Sequence, residues 1–216
     1  MTKNKKNRIH RYFQVSFILL LATGLIAGSL FFLNISNYFS GEGEKVVFSN
    51  ELYKITGNPT QLQKDLFKEL TNEVEKQSAE NELTIVGLVV ENFIADFYTW
   101  NNKVGTYDIG GKDFIFATEF TNFSATSRRY NYNAMSNYLS KGINQKDLNE
   151  VAEINVLSVN YAYPYDYYGK EYPSYYVEAE WTYKANEALD LTVFPTWAAF
   201  TLIKNENGRY EIVRFY

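Results

Sequence analysis

Tyr175-Tyr-Val-Glu-Ala-Glu-Trp-Thr-Tyr-Lys184 repeats with a period of two. Tyr, Val, Ala, Trp and Tyr fall on its odd positions, and Tyr, Glu, Glu, Thr and Lys on its even ones. Successive side chains of a strand point to opposite faces, so this stretch is an antiparallel strand with one face buried and one in water. Leu157, Val159, Tyr161 and Tyr163 alternate likewise in the strand before it. Residues 192–204 are apolar on both faces, which predicts a central strand with Pro195 at an end or bulge. Asn205-Glu-Asn-Gly208 is a hairpin turn, with Gly208 suited to the left-handed position, and residues 210–216 close the sheet.

Upstream of residue 151 the apolar period is helical. Asn58-Pro59-Thr60-Gln61 predicts a helix start, with Asn58 as cap, Pro59 at the first helical position and Gln61 as capping-box partner. Leu62, Leu66, Leu70 and Val74 follow as one narrow stripe. A second helix is expected over residues 81–102, where Leu83, Val86, Val90, Phe93, Ile94, Phe97 and Tyr98 recur at three- and four-residue steps. Residues 113–120 fit strand or helix, and residues 131–141 predict a short helix stopped by Gly142. Helices first and then a strongly bent meander make the class α+β.

The amino-terminal 33 residues predict a membrane anchor. Residues 13–33 carry no charge, and 21 residues at about 1.5 Å each cross a hydrocarbon layer of roughly 30 Å. Lys3, Lys5, Lys6, Arg8 and Arg11 all precede the run, while Glu42 and Glu44 follow it. The positive-inside rule then puts the amino terminus in the cytoplasm and the carboxy-terminal domain outside, on a single-pass protein of the cell membrane. A cleaved signal peptide is the competing reading. Against it, Leu30-Phe-Phe-Leu33 extends the apolar run past the small residues at 27–29. Gly24 and Gly28 form a Gly-x-x-x-Gly pair suited to transmembrane packing, though they also fit the ordinary small-residue content of such a helix. The expected organisation is a basic tail over 1–12, a transmembrane helix over 13–33, a connector over 34–57 and an exported domain over 58–216.

Composition narrows the function. The chain has 216 residues and no cysteine, which excludes disulfides, thiolate metal sites and a thiol nucleophile. Beyond residue 34 there are 16 basic against 25 acidic side chains. A domain that acidic repels a phosphate backbone, so direct nucleic-acid binding is not expected of it. His10 is the sole histidine and lies in the tail, which removes the usual general base and zinc ligand from the domain. No cofactor and no metal are expected.

A long apolar helix carrying Phe93-Ile-Ala-Asp-Phe-Tyr-Thr-Trp100, a short helix and a four-strand meander together resemble the cone-shaped nuclear-transport-factor-2-like fold. The last hairpin, Thr201-Leu-Ile-Lys-Asn-Glu-Asn-Gly-Arg-Tyr-Glu-Ile-Val-Arg-Phe215, looks like that fold's ending. The resemblance covers about residues 60–216 and is a pattern of elements, which speaks to fold before function. With the basic tail, single span and connector added, the layout is similar to the bitopic platform subunit of type IV secretion systems, of the kind found in Gram-positive conjugative plasmids and transposons. That resemblance implies a non-enzymatic scaffold that contacts other secretion-channel subunits and itself. It carries over no catalytic residue.

Two kinds of side chain bear on that expectation. Enzymes of the same cone fold, such as ketosteroid isomerase, pair carboxylates and a tyrosine in an apolar cavity, and Asp96, Tyr98 and Asp108 are the residues here that offer such chemistry. Asp96 falls outside the apolar helix stripe, so solvated acids are the preferred reading. A tethered domain holding an apolar small molecule or cell-wall fragment is the alternative function. Tyrosines crowd the turn between the first two meander strands. Tyr165, Tyr167, Tyr168 and Tyr172 are expected to be exposed interface residues, whereas Tyr161, Tyr163 and Tyr175 are expected in the core. Arg128 and Arg129 stand side by side as a second candidate contact, or as a solvated loop.

Overall fold

The computed structural model describes residues 46–76 and 78–216. The tail, the expected span over 13–33 and its Gly24/Gly28 pair lie outside them. Among the described residues no helix is long and apolar enough to cross a membrane.

The folded unit starts earlier than residue 58. Strands β1 (Val46–Ser49) and β2 (Lys54–Thr56) form a small antiparallel hairpin inside the stretch read as connector. Tyr53 and Ile55 carry this hairpin into the core. Helix α1 (Gln61–Glu75) follows, and its cap is Thr60 rather than Asn58. The Thr60 hydroxyl accepts from the Gln63 amide at 3.3 Å, and the Gln63 side chain accepts from the Thr60 amide. The capping box is thus the Thr60–Gln63 pair, two residues later than the sequence suggests. Its buried face is Gln63, Phe67, Leu70 and Val74, while Leu62 and Leu66 are half-buried.

Helix α2 (Glu82–Phe97) is the centre of the folded unit over residues 46–216. Most of its circumference is buried, so apolar residues are not confined to one face and the amphipathic stripe is blurred. It ends five residues before the expected 102. Asn149 takes over there: its side chain donates to the Tyr98 carbonyl at 2.6 Å, and its own carbonyl accepts from the Trp100 amide at 2.9 Å. Residues 113–120 are neither a strand nor a full helix. They form two short 3-10 turns around a single parallel bridge between Ile115 and Ile212. A longer helical run than expected begins at residue 120: α3 (Phe120–Ser127), a π-helical turn (Arg128–Tyr132) and α4 (Asn133–Ser140).

Strands β3 (Val151–Tyr167), β4 (Lys170–Tyr183), β5 (Trp197–Lys204) and β6 (Tyr210–Phe215) form one antiparallel meander in that order. The architecture is therefore α+β, with helices packed on a four-stranded antiparallel sheet. The β4 alternation holds: Tyr175, Val177, Ala179 and Trp181 are buried. Residues 192–196 stay out of β5, which starts after Pro195, as the lost backbone donor requires. Gly208 has φ +79° and its amide returns to Asn205 at 3.0 Å, closing the last hairpin. Between α2 and the sheet the interior is filled by aromatic rings. Phe93 lies 5.1 Å from Phe97, 5.8 Å from Phe200 and 5.2 Å from Phe215.

Candidate interaction site on the tyrosine hairpin

The β3–β4 hairpin outruns the rest of the sheet. Strand β5 pairs with β4 only from Ser174 onward, so residues 163–173 project past it. Tyr167 pairs with Lys170, leaving a two-residue loop of Tyr168 and Gly169. Their φ angles are +52° and +82°. Positive φ at both central positions is the type I′ turn, whose twist matches that of paired strands and which normally takes Asn-Gly. Tyr168 is the one non-glycine residue with positive φ among the described residues, and it is 93% exposed. A bulky side chain in that region costs about 1–2 kcal/mol. Here the cost is borne to hold a phenol ring in water at the tip of a hairpin.

The neighbouring tyrosines divide differently from the sequence expectation. Tyr165, Tyr167 and Tyr172 are half-buried rather than exposed. Phe116, brought to the β6 edge by its amide's 2.9 Å bond to the Ile212 carbonyl, meets Tyr167 at 5.2 Å and Tyr172 at 5.8 Å. The Tyr167 hydroxyl donates to Glu119 at 3.0 Å, and Lys170 pairs with Glu206 at 2.6 Å. These contacts brace the hairpin from both sides. Conversely, Tyr161 and Tyr163 are not core residues: they are 65% and 95% exposed, and only Tyr175 is buried as expected. Tyr161 does lie opposite buried Tyr175, its ring 5.6 Å away, but on the edge strand where water reaches it, and the bulge at Ala162/Tyr165 breaks the period of two at Tyr163.

Arg128 and Arg129 are exposed, and they sit in the π-helical turn rather than a loop. The wider turn separates two demands within five residues. Tyr130 is 68% exposed with the Arg129 guanidinium 5.2 Å from its ring centre, while Tyr132 is fully buried. The Tyr132 hydroxyl donates to the Phe97 carbonyl at 2.8 Å and accepts from the Gly110 amide at 2.9 Å.

The carboxylates weighed for catalysis serve the framework. Asp96 pairs with the buried Lys103, and accepts from Gln63 at 3.0 Å and from the Gly111 amide at 2.6 Å. Tyr98 is buried and stacked on Trp181 at 4.5 Å, and burial, reinforced by Tyr183, holds its hydroxyl well above the usual phenol range. Asp108 accepts the Val104 amide at 2.8 Å. Among the described residues no group of His, Cys, Asp or Glu is arranged to hold a metal ion. An open groove of about 760 Å³ lies at the other end of the hairpin, lined by Glu153, Asn155, Glu180, Thr192 and Thr196 among others.

One polar cluster has no counterpart in the sequence pattern. Glu82, at the first turn of α2, accepts from Lys204 at 2.7 Å, Tyr210 at 2.8 Å and Tyr161 at 3.2 Å. Partial burial opposes its charge, but Lys204, Tyr210 and Tyr175 outweigh it and pull the carboxyl down to about 2. Its partners come from four strands far along the chain, so no local pattern marks it. Comparison with protein-family models, with curated proteins and with solved structures gives no match.

Proposed function

We propose that this chain is a non-enzymatic scaffold that works through protein–protein contacts made by its tyrosine hairpin. The observation that carries this reading is Tyr168, an aromatic side chain held in an unfavourable backbone conformation and 93% exposed, with its ring edge-on to Tyr167 at 4.8 Å. Strain retained at an exposed position points to a role for what is displayed there. Tyrosine also supplies large contact area with little entropy to lose, which suits it to interface anchors. The braced base of the hairpin supports the same reading, because a pre-ordered element loses less on binding.

The setting we propose is the outer face of a cell membrane, with the cytoplasmic tail and single span expected over residues 1–33, and the machine a conjugative type IV secretion channel. The domain would then be a cone of the nuclear-transport-factor-2-like kind, and its partners other channel subunits and further copies of itself. Support for this finer assignment is the layout of tail, span and α+β domain, and its resemblance to the platform subunits of such channels. The acidic surface argues for protein partners over nucleic acid. The alternative, a tethered ligand-binding domain, draws little from the aromatic-filled interior. The open groove beside Glu153 and Glu180 is where such a ligand would sit.

The test is photo-cross-linking from position 168 of the full-length chain in its native membrane, with mass spectrometry of the products. Capture of secretion-channel subunits is the expected result. Recovery of cell-wall enzymes alone, or of nothing, would overturn the scaffold reading.

A further inference from the structure

Strand β3 is 17 residues long and terminal in the sheet, and among the described residues no strand pairs with its outer edge. Residues 154–165 contain no charged side chain. Leu157, Tyr161 and Tyr163 on this strand are 48%, 65% and 95% exposed. An open edge presents a row of backbone donors and acceptors, and folded proteins normally blunt it with charge, proline or bulges. Here the bulges fall at Val156/Ser158 and at Ala162/Tyr165, with Pro164 inside the second. They bracket a window, residues 158–162, that keeps regular register with β4 and carries neither charge nor proline.

The rest of the surface limits what can approach. Residues 46–216 hold 23 acidic and 15 basic side chains, a net of −8. Two such domains repel one another over most approaches. A charge-free edge is where that repulsion is least. Residues 191–203 are also free of charge, but most of them belong to β5, which is paired on both sides.

We infer that β3 pairs with itself: two copies dock antiparallel, edge to edge, about a twofold axis at Asn160, joining two four-stranded sheets into one of eight. That point is the middle of the charge-free run. A twofold contact requires a self-complementary surface, and antiparallel pairing here supplies one. It sets Leu157 and Val159 of one copy beside Tyr163 and Tyr161 of the other. Cross-strand pairs of aliphatic and aromatic side chains stabilise such a ladder. Pro164, lacking an amide hydrogen, ends the ladder symmetrically at both ends. A strand from a different protein is the competing occupant. Nothing in the window selects a charged or basic strand, whereas an uncharged Val/Tyr strand matches it, and β3 is such a strand. The inference shares the hairpin with the scaffold reading but does not depend on which machine the chain serves.

The chain has no cysteine, so single introduced thiols report contacts without background. The experiment is disulfide cross-linking of the full-length chain in its membrane, with cysteine placed in turn at Leu157, Ser158, Asn160, Ala162, Tyr168 and Trp197. The dimer band should be strongest for Asn160→Cys, fall on either side, and be absent for Trp197→Cys. Asn160→Lys should abolish a dimer that Asn160→Ser retains, with unchanged thermal unfolding of the monomer. Should Asn160→Lys fail to fold, Leu157→Lys, at an exposed bulge, replaces it. A series that peaks at Tyr168 or Trp197, shows no dimer at all, or links Asn160→Cys to a different protein would overturn self-pairing. Photo-capture from position 168 in the Asn160→Lys background keeps the two proposals apart. Partners still captured there leave the scaffold standing, whatever the fate of the dimer.

Discussion

The Gly110 amide donates to the Tyr132 hydroxyl at 2.9 Å, deep inside the fold, and the two residues could not meet with any side chain at 110. A Cβ there would lie 2.2 Å from the Asp96 carbonyl oxygen, so the loop carrying Gly110 passes directly against the end of α2. Tyr132 is delivered to that point by the π-helical turn, and it also donates to the Phe97 carbonyl. One hydroxyl thus joins the end of α2, the 105–112 loop and the α3–α4 helix.

Tyr132→Phe should therefore destabilise the domain by about 1–3 kcal/mol, because a buried amide loses its acceptor while the ring's packing stays. Gly110→Ala should cost at least as much, since backbone rather than a flexible side chain stands in the way. Urea unfolding midpoints of the two variants against the parent would check both. A Tyr132→Phe midpoint equal to the parent's would show that the hydroxyl is dispensable.

Stability and function should separate at position 168. Tyr168→Asn suits the type I′ turn and should stabilise the domain by about 1 kcal/mol, since asparagine enters the left-handed region readily. The same change removes the exposed ring and should abolish partner capture. Thermal unfolding and affinity capture on the same preparation read the two effects. A variant that gains stability and still captures partners would refute the role given to the ring.

Glu91 faces the opposite problem to Glu82. It is half-buried on α2, and burial, with a smaller contribution from Glu69 on α1, pushes its carboxyl up to about 7. A carboxyl whose folded value is raised holds its proton longer in the folded state than in the unfolded one. Stability should therefore fall as pH rises from about 4.5 to 7. Glu91→Gln should remove that limb and stabilise the domain above pH 7 by on the order of 2 kcal/mol. Unfolding free energies measured between pH 5 and 8 would show a flat profile for the variant if this holds.

Glu82 should give the acid limb. Its folded value is depressed to about 2, so its contribution is present above the unfolded value near 4.5 and is lost as pH falls toward 2. Glu82→Gln should weaken the domain at neutral pH and make it less sensitive to acid between pH 4.5 and 2. An acid-unfolding curve parallel to the parent's would remove Glu82 from the account.

Local chemistry is legible in the residues themselves. The period of two in β4 follows from one face meeting the core, so the burial of Tyr175, Val177, Ala179 and Trp181 follows from their spacing alone. The Asn205–Gly208 turn is marked by a glycine that takes a positive φ most residues avoid. Helical spacing marks α1 and α2, since a repeating apolar position needs no knowledge of what covers it. The absence of cysteine and the excess of acid also bound the chemistry from composition alone.

Tertiary structure decided what depends on distant partners. Tyr161 is exposed although it lies opposite buried Tyr175, because β3 is the edge of the sheet, and a bulge at Ala162/Tyr165 frees Tyr163; neither edge position nor register is written in β3's own pattern. Tyr167 and Tyr172 are drawn down by Phe116, some fifty residues earlier in the chain, which leaves Tyr168 exposed at the tip with its ring edge-on to Tyr167. Glu82 becomes an ionised anchor only when β3, β4, β5 and β6 deliver their donors to one carboxylate. A residue's own neighbours in sequence fix its preferred backbone and its need for burial. Which surface meets that need is settled by the whole chain at once, through packing that no single stretch encodes.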